Sequence, residues 1–285
     1  MRADLHLHSH YSDGSETPAE VVERARAARL DLIALSDHDS LGGLAEAQTT
    51  AQAAGIEVLA AAEFTATFHG QEIHLLGYFP AAPGGEVENH LQGMQAFRQQ
   101  RLETALERLR DRGLPLRFEE LPCAACCQSV TTAHLAILLA RRGYAPSARA
   151  AWRKFLDSDR GVVPAFQVTV EEVLKTIHAG GGLAVWAHPR RQGFRARLEE
   201  LAALGVDGVE VANRRRSLEP AREWRALARQ LNLVSTGGSD WHGGTPLGEF
   251  AADEELLGDF LERLGRWRRS TSQKPHSASN PRGTA

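Results

Sequence analysis

The sequence has few cysteines, and their arrangement excludes a disulfide-stabilised secreted fold. Cys123, Cys126 and Cys127 are the only three, and they are clustered and odd in number. Small secreted domains depend on paired cysteines instead. A lone C-x2-C-C run, without a second pair or a histidine at finger spacing, also lacks the pattern of a zinc knuckle. We interpret the three as incidental or structural thiols.

Long apolar runs and an excess of one charge are absent as well. No stretch of about 18 apolar residues occurs, and the chain begins Met1-Arg2-Ala3-Asp4 without an apolar signal segment. The formal net charge of -3 gives no general attraction to nucleic acid or to anionic membranes. We therefore expect a cytoplasmic protein with no membrane contact, no obligate protein partner and only local phosphate binding.

The 285 residues are enough for a sizeable core, and their patterning predicts strands alternating with helices. Thr17-Pro18-Ala19-Glu20 has the residues of a capping box that starts a helix, and Thr169 with Glu172 forms a second. His69-Gly70 predicts a hairpin turn. The predicted strands are 2–8, 32–35, 56–62, 73–76, 183–187, 206–211 and 233–236. This order is typical of a parallel sheet or barrel.

The strand pattern is interrupted in the middle of the chain. From residue 87 to 158 helix-forming residues dominate, notably Met94 to Arg112, closed by Gly113. We predict that this segment, called the insertion below, caps the site of a barrel formed by residues 1–86 and 159–265. The stretch 266–285 is rich in Ser, Thr, Pro and Gly, which predicts a disordered tail.

Histidines and carboxylates recur where predicted strands end. The segments are His6-Leu7-His8, Asp37-His38-Asp39, His188-Pro189 and Ser239-Asp240-Trp241-His242, and Glu63 follows an apolar strand. Taken singly, each can be a polar strand face or a packed histidine. Because the carboxyl ends of parallel strands meet at one face of the fold, we expect these side chains to lie together. Mixed imidazole and carboxylate ligands suit Zn, Mn or Fe, so the sequence predicts a metal site for hydrolysis.

These motifs resemble those of the polymerase-and-histidinol-phosphatase (PHP) superfamily. The matching segments are D-L-H-L-H-S-H-Y-S-D-G-S at 4–15, S-D-H-D at 36–39, Glu63, His74, A-H-P at 187–189 and G-S-D-W-H at 238–242. The resemblance implies a distorted (β/α)7 TIM-like barrel with a helical insertion. It also implies a metal-dependent phosphoesterase with two or three divalent ions.

The resemblance further implies which residues would hold three ions. They are His6, His8, Glu63 and Asp240 for the first ion, Glu63, His74 and His188 for the second, and Asp13, His38 and His242 for the third. Asp13 lies where other branches of the superfamily have histidine. Because an oxygen ligand there favours a hard ion, we expect Mn(II), with Zn or Fe as alternatives.

The insertion most resembles that of small bacterial nucleoside 3′,5′-bisphosphate phosphatases, some of which are 5′-to-3′ exoribonucleases. This implies a small nucleotide or the 5′ end of a short RNA as substrate. His134 would face its phosphate, but Thr132 stands where relatives have arginine, and Arg190 and Arg191 are candidate replacements. Activated water would attack phosphorus. We take Asp240, His188 and His134 as catalytic candidates, the two imidazoles as possible proton donors.

Other interpretations remain open. An amidohydrolase also begins with H-x-H, although its pattern normally includes a barrel lysine or separate later histidines. A PHP module without turnover would use its ions only to stabilise the fold or would serve a larger polymerase.

Basic and aromatic residues of the insertion also have alternative interpretations. We interpret Arg98, Arg101, Arg108, Arg110 and Arg112 as a solvated helix face, because Glu103, Glu107 and Asp111 alternate with them. A second basic group could cap a nucleotide or short RNA: Arg141, Arg142, Arg149, Arg153 and Lys154. The aromatic residues could stack on a base, but we expect them to be core residues: Phe97, Tyr144, Trp152 and Phe155.

Overall fold

Strands form at all seven predicted places, and together with one short additional strand they make a single sheet. The computed structural model describes residues 1–122, 127–213 and 218–272. Its strands are Arg2–Leu7 (β1), Leu32–Leu35 (β2), Glu57–Phe68 (β3), Gln71–Phe79 (β4), Leu183–Trp186 (β5), Gly208–Asn213 (β6), Val234–Gly238 (β7) and Ala252–Asp253 (β8). Their order across the sheet is β7-β6-β5-β4-β3-β2-β1-β8.

The sheet curls into a nearly closed barrel. Strands β1, β2 and β3 pair in parallel, as do β5, β6 and β7, while β4 runs antiparallel to both of its neighbours. The sheet closes on itself where β1 meets the segment that follows β7. There His8 N donates to Trp241 O at 2.9 Å, and Asp240 N donates to His6 O at 3.0 Å. The predicted distorted TIM-like barrel is confirmed.

The reversed direction of β4 follows from the predicted hairpin. His69 and Gly70 have φ of 48° and 70°, the left-handed values that a two-residue hairpin turn requires. Both strands extend past the sheet edge as a long antiparallel pair, from Ala60 opposite Phe79 to Phe68 opposite Gln71. Glu63 therefore lies inside β3, whereas the sequence placed it at a strand end.

Helices cover the barrel, and several begin at the predicted caps. Thr17 Oγ1 accepts from Glu20 N at 3.1 Å, and Thr169 Oγ1 accepts from Glu172 N at 3.3 Å. The α-helices of the described residues are Pro18–Ala27 (α1), Leu44–Ala54 (α2), Glu86–Asp111 (α3), Thr132–Arg141 (α4), Ala148–Ala151 (α5), Val170–Ala179 (α6), Phe194–Leu204 (α7), Leu218–Gln230 (α8) and Glu254–Ser272 (α9).

Alternation along the strands separates the barrel interior from its outer layer. Leu59 and Ala61 of β3 pack inside with Leu76 and Tyr78 of β4. Leu257, Phe260 and Leu264 of α9 belong to the same interior cluster. The alternate residues of each strand face the other way. On β2, for example, Ile33 and Leu35 pack outward against α1 and α2. Helix α9 reaches Ser272 and so occupies the start of the segment predicted to be disordered; residues 273–285 lie outside the described residues.

The insertion has a hydrophobic core of its own. Residues of α3, α4 and α5, including Leu106, Leu135 and Ala151, form a cluster that shares no member with the barrel clusters. Val162 belongs to the same cluster, and the partly buried Cys127 packs against it. Cys123 and Cys126 lie outside the described residues. Val87 and Leu91, at the start of α3, belong instead to a cluster of the barrel.

One arginine of α3 fastens the insertion to the barrel, which corrects the interpretation of a solvated face. Arg98 is 4% exposed, and its Nε donates to Asp39 Oδ2 at 2.7 Å while Nη2 donates to Thr65 Oγ1. Asp39 is fully buried. The sequence pattern did not reveal this because Asp39 lies far from Arg98 along the chain. Arg110 is exposed, as expected.

No helix within the described ranges combines the length and the apolar run that crossing a membrane requires.

Replacing Arg98 should destabilise the protein strongly. Arg98→Ala leaves the carboxylate of Asp39 buried without its ion-pair partner, which costs about 3–5 kcal/mol. Arg110→Ala, on the exposed side of the same helix, should change the free energy of unfolding by less than about 0.5 kcal/mol. Urea denaturation of both variants measures the difference. Equal effects would show that the buried ion pair contributes nothing to stability.

Candidate metal centre

Nine histidines and carboxylates converge at the end of the barrel where its parallel strands finish. They fall into four overlapping groups, and in each group one nitrogen or oxygen per residue lies within 4.8 Å of the others. The groups are His8, Asp13, His38 and His242; His6, His8 and Asp240; His6, Glu63 and His188; and His38, Glu63 and His74. All nine side chains expected to be metal ligands are thus brought together.

A bulge in β1 aims two of these histidines inward. Ala3 and Leu5 pack inside the barrel, but Leu7 packs outside against α1 and α2. The register of β1 with β2 shifts between Asp4 and Leu7, so the inward face changes from odd to even residues. His6 and His8 therefore point into the site, although plain strand alternation would place Leu5 and Leu7 on one face.

The carboxylate of Glu63 lies at the middle of the cluster. Its Oε2 is 3.3 Å from His6 Nε2, 3.3 Å from His8 Nε2 and 3.1 Å from His38 Nδ1. Its Oε1 is 2.9 Å from His74 Nδ1 and 2.8 Å from His188 Nε2. Burial alone would raise the pKa of Glu63, but the surrounding imidazoles hold it well below its usual range.

Two aspartates flank Glu63 on the open side of the cluster. Asp240 Oδ1 lies 3.4 Å from His8 Nε2 and 3.6 Å from His6 Nε2. Asp13 Oδ1 lies 3.3 Å from His242 Nε2, and Asp13 Oδ2 accepts a hydrogen bond from Thr131 Oγ1 at 3.0 Å. Thr131 is the N-cap of α4, so the insertion contacts the cluster directly.

The donor set fits metal ions. Several buried atoms of the cluster have ion-pair neighbours but no hydrogen-bond partner within the described chain: His6 Nε2, His8 Nε2, His38 Nδ1, Asp13 Oδ1 and Glu63 Oε2. Buried polar atoms are normally hydrogen-bonded, so this concentration calls for another partner. Imidazole nitrogens mixed with carboxylate oxygens suit Zn, Mn or Fe. The cluster can therefore bind metal ions.

A second layer of carboxylates orients the cluster. Glu210, fully buried on β6, lies 3.1 Å from His6 Nδ1 and accepts from His188 N at 2.7 Å. Asp37 accepts from Ser9 N at 2.8 Å and from Ser12 Oγ at 2.6 Å. Asp37 thus fixes the loop after β1, and Asp39 accepts from Thr65 N and Arg98 Nε. A hydrogen bond such as that between Glu210 and the His6 ring fixes the tautomer and direction of a metal-binding imidazole.

Backbone strain is concentrated here. Asp39, His188 and Asp240 have φ of 45°, 27° and 54°, in the left-handed region that non-glycine residues rarely adopt. Such conformations cost about 1–3 kcal/mol each and cluster at functional sites. The site is therefore held in place by the surrounding packing.

A cavity of about 540 Å³ opens beside the cluster. It is lined by His74, His188 and Arg190 from the barrel. Arg191 is exposed and does not contribute to this lining. His134 is 4% exposed and does not line the cavity either. Its Nδ1 accepts a hydrogen bond from Thr131 N at 3.0 Å. Burial lowers the pKa of His134. Its surroundings favour a role in holding Thr131 against Asp13.

Sequence patterns missed several residues of the cavity and the cluster. Arg101 was assigned to a solvated face, yet its Nε donates to Pro164 O and its Nη1 to Thr132 Oγ1 at 3.1 Å on the cavity wall. Its guanidinium thus lies beside the threonine that replaces the expected arginine. Glu210 lies in the predicted strand 206–211 but is not among the predicted site residues. A buried charge inside an apolar strand was the available signal for it.

Changing Glu210 should weaken metal binding without unfolding the protein. Glu210→Gln removes the carboxylate that faces His6 Nδ1 but keeps the side-chain volume. Loss of such an orienting partner lowers metal affinity about 10- to 100-fold. Competition with a chelator measures the affinity, and Glu223→Gln on α8 is the control outside the cluster. Unchanged affinity in Glu210→Gln would exclude the orienting role.

Metal uptake should release protons. Burial disfavours the charged rings of His8 and His74, but ion pairs with Glu63 and its neighbours outweigh it and raise the pKa of each to about 10. Both imidazoles are then protonated at pH 7 in the ion-free protein and must lose a proton to bind an ion. Affinity should rise as the pH increases toward 10. Titration calorimetry in buffers of different ionisation enthalpy should detect the released protons, and none at pH 7 would contradict these pKa values.

Comparison with known proteins agrees with this geometry. A family model described as the PHP domain matches residues 4–158. The chain is 34% identical over 257 residues to a 3′,5′-nucleoside bisphosphate phosphatase of Chromobacterium violaceum, covering 84% of this chain and 86% of the relative. It is 31% identical over 245 residues to a 5′-3′ exoribonuclease of Haemophilus influenzae, covering 84% and 89%.

A solved structure supports the same fold. An amidohydrolase from Chromobacterium violaceum, determined with bound sulfate and no metal, superposes with a TM-score of 0.84 at 28% identity. The match covers 94% of this chain and 97% of that one. The family match and the two curated relatives identify the class of reaction, because both relatives cleave phosphate esters. The chain belongs to the PHP domain family and is a hydrolase of phosphate ester bonds.

Proposed function

We propose that the protein removes a phosphate from a small nucleotide of the nucleoside 3′,5′-bisphosphate type. One observation carries the proposal. His74 and His188 each share a ligand group with Glu63, and both also line the cavity, so a bound molecule would lie beside the candidate metal ligands. The similarity to the 3′,5′-nucleoside bisphosphate phosphatase of Chromobacterium violaceum supports the same substrate. Sulfate, bound in a similar structure, has the shape and charge of a phosphate group.

Two or three divalent ions would be held by the four ligand groups. Because His6, His8, His38 and Glu63 each belong to two groups, the proposed ions would be neighbours with common ligands. The oxygen ligand Asp13 favours Mn(II), with Zn or Fe as alternatives. When bound, such ions would activate water for attack on phosphorus and neutralise charge on the phosphate.

The chain's own residues would hold the substrate and manage its proton. Arg190, exposed at the cavity wall next to His188, would bind a phosphate oxygen with its guanidinium. His188 is the better candidate than His134 to hold a proton for the leaving oxygen, because His188 lines the cavity. Asp240, close to His6 and His8, would complete the first ligand group. Arg191, which is exposed and does not line the cavity, would have no direct part.

Two other activities stay as alternatives. The 5′ end of a short RNA would present the same phosphate chemistry, and the exoribonuclease relative supports it. Hydrolysis of an amide is supported by the similarity to the solved amidohydrolase. The described residues that line the cavity include no lysine, which counts against the usual amidohydrolase pattern.

Phosphate release from adenosine 3′,5′-bisphosphate tests the proposal. With Mn(II) supplied, the intact protein should release the 3′-phosphate, and Asp240→Asn should lose about 100-fold or more of kcat/KM, beyond the effect of an orienting residue. Asp259→Asn, on the surface of α9, is the control and should keep full activity.

A 5′-phosphorylated tetranucleotide and an N-acyl amino acid are the comparison substrates. Faster cleavage of the tetranucleotide would replace the small-nucleotide assignment with the RNA alternative. Cleavage of the amide alone would favour the amidohydrolase alternative. If the ions bind and the bisphosphate is stable, the nucleotide assignment is wrong.

A further inference from the structure

The cavity beside the cluster has two chemically different walls. The barrel wall is polar and includes Glu72, His74, His188 and Arg190. The wall made by the insertion and the loop after it supplies the apolar side chains of Trp152, Leu156, Val163 and Phe166, together with polar groups of Arg101 and Asp157. A ligand that matches both walls has an anionic group at one end and a flat or apolar group at the other. The volume of about 540 Å³ is within the range of small-molecule sites.

Trp152 is unusually exposed for its size. It is 41% exposed, while Ala151 and Leu156, on either side of it in the same segment, are buried in the insertion core. It begins the π-helical turn Trp152–Leu156, in which Asp157 N donates to Trp152 O at 3.0 Å. Such turns are rare and frequently occur at functional sites. A ligand in the cavity would cover apolar indole surface that now faces water.

The other aromatic residues of the insertion are engaged in packing. Tyr144 and Phe155 pack against the insertion core, and the Phe97 ring lies 5.6 Å from the ring of Phe166. Phe166 also carries the guanidinium of Arg101 at 4.0 Å. Among the four aromatics singled out in the sequence, Trp152 is the one with a substantially exposed ring on the cavity wall.

We propose that Trp152 stacks on the nucleobase of a substrate whose phosphate lies at the polar wall. This inference rests on the proposed nucleotide phosphatase function and names the residue that recognises the base. Every base has a flat π-face, so stacking on an aromatic side chain recognises a nucleotide with little preference among bases. Trp152 would therefore distinguish nucleotides from sugar phosphates that lack a base.

A pair of substrates tests the role of Trp152. One is adenosine 3′,5′-bisphosphate, and the other is its abasic analogue, 1-deoxyribose 3,5-bisphosphate. Trp152→Ala should raise KM for the nucleotide about tenfold, the size of one base-stacking contact, and leave kcat unchanged. KM for the abasic analogue should not change. Trp152→Phe, which keeps a flat ring, should restore most of the affinity.

Leu204→Ala is the matched control, because Leu204 is 39% exposed and does not line the cavity. A nucleotide-specific rise in KM, rescued by phenylalanine, supports stacking. If Trp152→Ala raises KM equally for both substrates, or for neither, the stacking proposal is overturned. The phosphatase function would still stand in that case, provided that the intact protein cleaves the nucleotide. If the intact protein cleaves the abasic analogue with the same KM as the nucleotide, base recognition is also excluded. No turnover of either substrate would overturn both proposals.

Discussion

The buried carboxylate of Glu63 is the constraint on which the site and much of the barrel depend. A fully buried negative charge is tolerated only beside compensating groups, and five imidazoles from four segments of the chain supply them. Each of those segments must reach the same point within about 3 Å of Glu63, which fixes the position of the loops after β1 and β2 and of His188 after β5. The same crowding leaves several nitrogens and oxygens facing one another, ready for cations.

The insertion contributes to this arrangement in two ways. Arg98 holds Asp39 beside the cluster, and Thr131 holds Asp13 within it. Arg101, Trp152 and Phe166 form the far side of the cavity. The insertion therefore supports the candidate metal centre and also forms one wall of the cavity beside it. A rearrangement of its helices would change the ligand geometry and the cavity together.

Local patterns predicted most of the fold, because strand alternation, capping boxes and the His69-Gly70 turn depend on neighbouring residues. The resemblance to PHP proteins supplied the nine candidate ligands, which the structure brings together. Features that depend on distant partners could not be predicted. The bulge that turns His6 inward, the burial of Arg98 against Asp39 and the position of Glu63 inside β3 each follow from pairing or packing between segments far apart in the sequence.

The seam of the barrel has a consequence for how the protein is made. His6 and His8 come from the first strand, and their backbone is joined to Asp240 and Trp241, which follow the last parallel strand. During synthesis the emerging chain therefore has His6, Glu63 and His188 before the ribosome has added Asp240. Until that residue leaves the exit tunnel, the carboxylate of Glu63 lies in an open, incomplete sheet. Closure of the barrel thus waits until Asp240 and Trp241 have been synthesised.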